Sequence, residues 1–370
     1  MGNRRCIFLY PFSLLYGLIT GIRNFLYNTG TITSYEFKLP VICVGNITVG
    51  GTGKTPHVEY LVNLLKENFR VATLSRGYKR KTRGFQFATS TSKVGDIGDE
   101  PLQIYRKFPD ITVTVDRERV HGVNTILKEK PGTGVIILDD GFQHRKIRPG
   151  FSILLSDFER PVFSDHLLPY GNLREGKKNI RRADIILITK SPEDISPIQR
   201  RIIVKGIDRA PYQKIFFTSL KYKDPVPVFN FYNPESILTD ISRRKEISII
   251  LITGIANPQP FEEYIKNNFG DIIHLDFPDH HQFTEGDIGK IISMWNDIKS
   301  PLKYVFTTEK DAVRLQEFTN IAEPIRSSFY YVPIGIHFLN DDQNEFDNLI
   351  IDYVRKNKRN NRVSEGQRCN

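Results

Sequence analysis

Residues able to grip a phosphate chain sit together near the amino terminus. The stretch Val44-Gly45-Asn46-Ile47-Thr48-Val49-Gly50-Gly51-Thr52-Gly53-Lys54-Thr55-Pro56 follows the apolar run 39–44 and precedes apolar residues at helical spacing. That pattern predicts a strand, a glycine loop and a helix start. Gly50, Gly51 and Gly53 let backbone N–H groups curl around a polyphosphate at the positive end of a helix. Lys54 would neutralise the outer phosphates and Thr55 would offer a hydroxyl to Mg²⁺. Thr48, Val49 and Thr52 complete the candidate nucleotide-contacting residues. The strict G-x-x-x-x-G-K-[ST] pattern fails at one position, because Thr48 stands where glycine is expected.

Other chemistry-bearing residues follow apolar runs. The run 134–138 ends in Asp139-Asp140-Gly141-Phe142-Gln143-His144, and a carboxylate at a strand end beside a phosphate loop suits Mg²⁺, held directly or through water. Gly98-Asp99-Glu100-Pro101 begins a helical stretch, where Asp99 or Glu100 is placed to take a proton from a hydroxyl. The adjacent His280 and His281 point in different directions and so do not suit one shared metal; by themselves they read as surface histidines, or as one histidine pairing with a carboxylate of the first domain across a cleft. In Asn172-Leu173-Arg174-Glu175, the guanidinium suits a phosphate and the carboxylate suits a metal. Arg76, Lys79, Arg80 and Lys81, with Arg117 and Arg119, carry enough charge for a phosphorylated head group.

The elements that must position these residues are legible as alternation. Short apolar runs at 71–74, 111–115, 134–138, 152–155 and 185–188, with helical segments between several of them, imply a parallel sheet covered on both faces. Ligands of such sheets bind at the carboxyl ends of strands. Proline-punctuated sequence at 224–234 marks a domain boundary. Runs at 247–253, 272–277, 304–308 and 330–334 then describe a second, smaller α/β unit. The expected division is 1–30, an amino-terminal membrane-interface helix; 31–225, the P-loop NTPase-like core; 226–340, the smaller α/β domain; and 341–370, a helix with a basic tail, disordered from 355 on.

A formal net charge of +10 over 370 residues points to anionic partners. The basic residues are spread out and lack an aromatic RNA-binding signature, which argues against nucleic acid. Cys6, Cys43 and Cys369 are far apart, which fits a reducing compartment without structural zinc. The apolar residues from Cys6 to Tyr27 are interrupted by Gly17, Gly21 and Arg23, too short a stretch to span a bilayer. No small-x-small cleavage site follows. A helix lying in the interface fits, with Arg4, Arg5 and Arg23 at the headgroups.

The combination of 45–56, Ser-Arg-Gly-Tyr (75–78), Gly-Asp-Glu-Pro (98–101), Leu-Asp-Asp-Gly-Phe-Gln-His (138–144), Leu-Arg-Glu (173–175), Asp-His (279–280) and Thr-Glu-Lys-Asp-Ala-Val (308–313) resembles the tetraacyldisaccharide 4'-kinase family. That family also lacks the first glycine of the loop. The resemblance implies a peripheral kinase on the cytoplasmic face of the bacterial inner membrane. It would move the γ-phosphate of ATP to the 4'-hydroxyl of a tetraacylated disaccharide 1-phosphate, forming lipid IV-A, with no obligate protein partner. By the same resemblance Asp99 is the catalytic base and His280 its dyad partner. Thr55, Asp139, Asp140, Gln143 and Glu175 form the Mg²⁺ group, and Arg174 and Arg119 join Arg76 as acceptor contacts.

Two other classes are weighed. A membrane-recruited ATPase that transfers nothing would carry lysine directly before the glycines, where this chain has Val49. A GTP-dependent metal-delivery protein would need a cysteine-rich motif. Thr189-Lys190 and Lys310-Asp311 only partly match guanine-reading sequences.

Overall fold

The computed structural model describes residues 7–229 and 247–366. Arg4, Arg5, Cys6, Cys369 and the 230–234 part of the proline-punctuated stretch lie outside the described residues. In chain order the elements are α1 (Tyr10–Asn28), β1 (Val41–Gly45), α2 (Lys54–Lys66), β2 (Val71–Ser75), β3 (Gln86–Phe87), α3 (Val94–Ile97), α4 (Asp99–Lys107), β4 (Thr112–Val115), α5 (Arg119–Glu129), β5 (Val135–Asp139), β6 (Phe151–Asp157) and β7 (Ile185–Thr189). There follow α6 (Pro197–Gly206), β8 (Lys214–Tyr222), β9 (Val226–Pro227), β10 (Ile247–Thr253), α7 (Gln259–Phe269), β11 (Ile272–Asp276), α8 (Glu285–Asp297), β12 (Leu302–Thr308), α9 (Glu309–Leu315), β13 (Phe329–Val332), β14 (Ile334–Phe338) and α10 (Gln343–Gly366).

The first compact unit contains residues up to Thr91, Ile104–Leu220 and the chain from Ile336 onward. Its sheet has the order β14-β8-β7-β6-β1-β5-β2-β4-β3. β1 lies between β5 and β6, parallel to both. The β2, β4, β7 and β8 pairings are parallel as well, and β3 runs antiparallel to β4. Every residue of β1, β2, β5 and β7 is buried, the consequence of helices covering both faces of a parallel sheet. Two apolar clusters fill those faces, one including Val41, Cys43, Leu138 and Phe217, the other Ile42, Val44, Val62 and Phe346. The carboxyl ends of β1, β5, β6 and β7 share one edge of the sheet.

The second unit comprises Ser92–Gln103 and Lys221–Gly335. Its sheet runs β11-β10-β12-β13-β9, parallel except for β9 against β13. This division differs from the sequence expectation. Residues 92–103 group with the second unit, where Val94 N–H donates to Glu317 (2.7 Å). The carboxy-terminal helix groups with the first, where Phe346, Ile350 and Val354 are buried and Asp347 accepts from Tyr60 (2.7 Å). The tail expected to be disordered from 355 is helical as far as Gly366, where α10 ends, and its residues 367–370 lie outside the described residues. A helix nucleated by those three buried residues propagates into a following polar stretch at little cost.

α1 is amphipathic the wrong way round for a core helix. Among its residues only Ser13 and Asn24 are buried, while Phe12, Leu14, Leu15, Leu18, Ile19, Ile22 and Phe25 are exposed. Its polar side holds it to the unit. Ser13 Oγ donates to the Leu167 carbonyl (2.9 Å) and Tyr16 OH to that of Arg174 (2.9 Å). No described helix is long and apolar enough to cross a membrane.

β1 ends against the turn that follows β5. A Cβ added at Gly45 would lie 2.7 Å from Phe142 Cβ and 3.0 Å from its backbone nitrogen. Gly45→Ala must push that turn outward, with a stability loss of about 1–3 kcal/mol expected. Urea denaturation checks this, and an unchanged midpoint would contradict the close packing.

Candidate active site

Between β1 and α2 the chain folds into a loop with five of its carbonyl groups held by partners outside it. Gly50 (φ +106°) and Gly53 (φ +78°) take left-handed conformations that disfavour a side chain. Gln143 Nε2 donates to the Asn46 carbonyl, and Arg174 N–H to that of Ile47 (2.7 Å). Lys190 Nζ reaches the Gly51 carbonyl (2.6 Å) and Thr189 Oγ1 that of Thr52 (3.0 Å). His57 Nδ1 donates to the Gly53 carbonyl (2.7 Å), and its Nε2 accepts from Thr218 Oγ1 (3.1 Å). Because a carbonyl only accepts, Nδ1 carries a proton, and the Thr218 hydroxyl, able to donate, suits an unprotonated Nε2. Burial agrees, pushing its pKa down to about 4 against the opposing pull of the Gly53 hydrogen bond.

No backbone carbonyl of the described residues accepts from the N–H groups of Gly50, Gly51, Thr52 or Gly53. Lys54, the first residue of α2, adds its ammonium and Thr55 its hydroxyl. A run of donors without engaged acceptors at a helix amino terminus fits the phosphates of a nucleotide. Thr48 explains its own departure from the strict pattern. It is buried and forms an extended bridge with Leu173, while Val49 N–H donates to the Asn172 carbonyl (2.8 Å). That extended pairing needs no glycine.

The acidic turn after β5 faces the same lysine. Asp140 (φ +50°) lies 3.5 Å from Lys54 Nζ and 3.5 Å from Arg174 Nη1. Burial raises its pKa, but Lys54, Arg174 and Arg119 outweigh burial and hold it below the usual carboxylate range. Its Oδ1 is buried and faces the Lys54 ammonium. Asp140, the neighbouring buried Asp139 and the Thr55 hydroxyl supply the hard oxygen donors that Mg²⁺ prefers. Among the described residues no three His, Cys, Asp or Glu side chains form a metal cage, so an ion here would lean on phosphate oxygens as well.

Two of the expected site residues have different surroundings from those anticipated. Glu175 is buried between cations, its Oε1 paired with Arg23 (3.1 Å) and its Oε2 with Arg182 (2.6 Å), and Oε2 also accepts from Asn24 (3.3 Å). Both oxygens are thus committed to fastening α1, and a dication would have to displace two guanidinium groups. Arg119 is equally enclosed, donating to the carbonyls of Asp116 and, at 3.2 Å, Asp139. It braces the acidic turn from behind. Arg76 is exposed and, with Arg119, adds to the burial that lowers the His144 pKa to about 4. Gln143 spends its amide on the loop.

In the second unit Asp99 opens α4. Its Oδ2 meets His280 Nδ1 (2.9 Å), Lys310 Nζ (3.8 Å) and Arg314 Nη2. The pair therefore lies inside one unit, where the sequence expectation had it spanning two. Burial raises the Asp99 pKa, but the His280 hydrogen bond and the charges of Lys310 and Arg314 hold it far below the carboxylate range. Arg314 also pairs with Asp311 (2.8 Å), which accepts from the Gly254 N–H (2.9 Å). His280 adopts φ +60°, a conformation rare for a side-chain-bearing residue. His281 turns away to Asp287 (3.0 Å) and stacks on Phe277.

Sequence reasoning passed over His57, Asp157, Arg160 and Arg314. Asp157 had a usable signal, being the acid two positions beyond the run 152–155. Arg314 carried none, since its partner Asp99 is 215 positions away.

A parallel sheet whose central strand leads through a donor-lined glycine loop into Lys-Thr, with paired acids ending the adjacent strand, defines a P-loop nucleotide-binding protein. The chain belongs to the tetraacyldisaccharide-1-P 4'-kinase family, whose model matches residues 5–355. It is 45% identical over 362 residues to a protein from Bacteroides thetaiotaomicron named tetraacyldisaccharide 4'-kinase, covering 96% of this chain and 95% of that one. A protein of the same name from Flavobacterium johnsoniae is 43% identical, with 94% and 97% covered. A crystal structure of LpxK from Aquifex aeolicus in complex with ATP matches with a TM-score of 0.73 at 29% identity, covering 93% of this chain and 98% of that one.

If Glu175 anchors α1, Glu175→Gln leaves Arg23 and Arg182 poorly compensated and should lower stability by about 3 kcal/mol or more. The Mg²⁺ concentration that supports half-maximal nucleotide binding should stay unchanged. A several-fold rise in that concentration would return Glu175 to the metal.

Proposed function

We propose that the protein transfers the γ-phosphate of ATP to the 4'-hydroxyl of a tetraacylated disaccharide 1-phosphate, yielding lipid IV-A in lipid A biosynthesis. The observation that carries this most directly is the donor-lined loop with Lys54 and Thr55 in a chain that matches the kinase family over residues 5–355. Phosphoryl transfer asks mainly for positioning and charge neutralisation. Thr48 to Thr55 would hold the phosphates, Lys54 taking the outer ones. Thr55, Asp139 and Asp140 would hold Mg²⁺, which neutralises phosphate charge when bound. Gln143 would keep the loop in register with that group.

Asp99 would take the acceptor proton and His280 would orient it. A carboxylate held so far down is a weak base, but a loose transition state needs little base strength. Arg76 and Arg174 would meet acceptor or nucleotide phosphate, with Arg119 acting through the acidic turn. Lys54→Ala and Asp99→Ala should each lower kcat/KM at least about 1,000-fold on detergent-dispersed acceptor, near 4 kcal/mol. A wild-type protein that hydrolyses ATP without phosphorylating this lipid would favour the partner-binding ATPase reading.

We further propose that the apolar face of α1 lies in an anionic membrane surface, the cytoplasmic face of the inner membrane. The support is the outward face of Phe12, Leu14, Leu15, Leu18, Ile19, Ile22 and Phe25, together with the +10 charge. Leu14→Glu with Leu18→Glu should leave the fold intact and weaken binding to anionic vesicles by about tenfold or more. Equal co-sedimentation of variant and wild type would remove this role.

A further inference from the structure

We propose that Lys190, held by Asp157, is a positioning residue for the nucleotide loop, and that its task is to keep the Gly51 carbonyl turned away from bound phosphate. The proposal rests on the nucleotide-loop reading above and concerns side chains outside the recognised loop motif.

Gly51 is exposed, and nothing lies within 4 Å of the place its Cβ would occupy. A peptide flanked by such a glycine can turn over at little steric cost. Turned over, it would present a carbonyl oxygen where a phosphate oxygen must sit and withdraw a donor at the same time. A tether on the Gly51 carbonyl prevents this, and Lys190 Nζ provides one at 2.6 Å.

The tether is itself braced. Lys190 directly follows β7 with φ +55°, a left-handed backbone that a lysine adopts only under constraint. Its ammonium pairs with Asp157 Oδ2 at 2.9 Å. Asp157 ends β6 and is buried, and its Oδ1 accepts from the backbone N–H groups of Glu159 (3.0 Å) and Arg160 (3.3 Å). The carboxylate is therefore fixed by its own turn. Arg160 also pairs with it at 3.7 Å, and the Arg160 guanidinium lies 3.7 Å from where a Gly50 Cβ would be. Lys190 thus gives its charge to Asp157 and a second hydrogen bond to the loop, unlike Lys54, whose role is to meet phosphate directly. Thr189 secures the next carbonyl, so one strand end restrains two consecutive peptides.

The test is equilibrium binding of two probes, a non-hydrolysable ATP analogue and inorganic tripolyphosphate, each with Mg²⁺. Lys190→Met should weaken both by the same factor, roughly ten- to thirtyfold, with only a modest fall in the melting temperature of the nucleotide-free protein, because Asp157 keeps Arg160 and its two backbone donors. Lys190→Gln, which keeps a donor, should recover part of the loss, and Asp157→Asn should fall between wild type and Lys190→Met. In turnover, KM for ATP should rise while KM for the lipid acceptor holds. Weakened binding of the ATP analogue with unchanged tripolyphosphate binding would overturn the proposal and give Lys190 a nucleoside contact. Unchanged binding of both probes would also overturn it, as would losses that track falling stability alone. Should Lys190→Met fail to fold, the Lys190→Gln and Asp157→Asn comparison decides on the same criteria. Failure of wild type to bind tripolyphosphate would instead sink the nucleotide-loop reading.

Discussion

A backbone can hold a phosphate chain only if the carbonyl sharing each peptide with a donor N–H is kept elsewhere. In this protein the peptides that carry the Thr52, Gly53 and Lys54 N–H groups meet that constraint, their carbonyls held by Lys190 and Thr189 at the end of β7 and by His57 on α2, while Gln143 and Arg174 hold the earlier carbonyls of Asn46 and Ile47. The sheet makes this possible, because its parallel strands deliver their carboxyl ends to one edge. Burial of whole strands in the two apolar clusters fixes those ends relative to one another. Catalytic pre-organisation then follows from ordinary core packing, with little reorganisation left for the moment of reaction.

Charge is handled with the same economy. Several carboxylates near the loop and in the second unit are met by cations, which hold Asp140 and Asp99 below the usual carboxylate range against burial, whereas at Asp311 burial prevails over Arg314 and raises the pKa. Asp140 lies between Lys54 and Arg174, Glu175 between Arg23 and Arg182, and Asp99 among His280, Lys310 and Arg314. Such pairs contribute modest net stability but fix geometry firmly, since removing one partner strands the other in a poorly solvated place. The pair at Glu175 has a wider consequence. It lets α1 bind the protein through polar groups and leave its apolar side outward, as an interfacial element requires.

Much of this was legible in the sequence because the signals were local. Three glycines before Lys54-Thr55, short apolar runs alternating with helices, and acids immediately after a run each arise from neighbouring residues. What stayed hidden depended on distant partners. Nothing near Glu175 announces Arg23 and Asn24, more than 150 positions earlier, so a metal role was the natural expectation. The grouping of 92–103 with the second unit was hidden for the same reason, since Asp99 finds Arg314 across 215 positions and Val94 finds Glu317 across 223. Strand β8 and the continuation of α10 lacked the expected apolar pattern, one for its lysine and tyrosine ends and the other for its run of charge.

The central claim is that the N–H groups of Gly50 to Gly53 are reserved for a phosphate chain. Site-resolved amide hydrogen exchange with and without a Mg²⁺-bound ATP analogue measures this directly. The account predicts that these four amides exchange fast in the free protein and become strongly protected on binding. Amides at 50–53 that keep exchanging at the free rate in the saturated complex would contradict it.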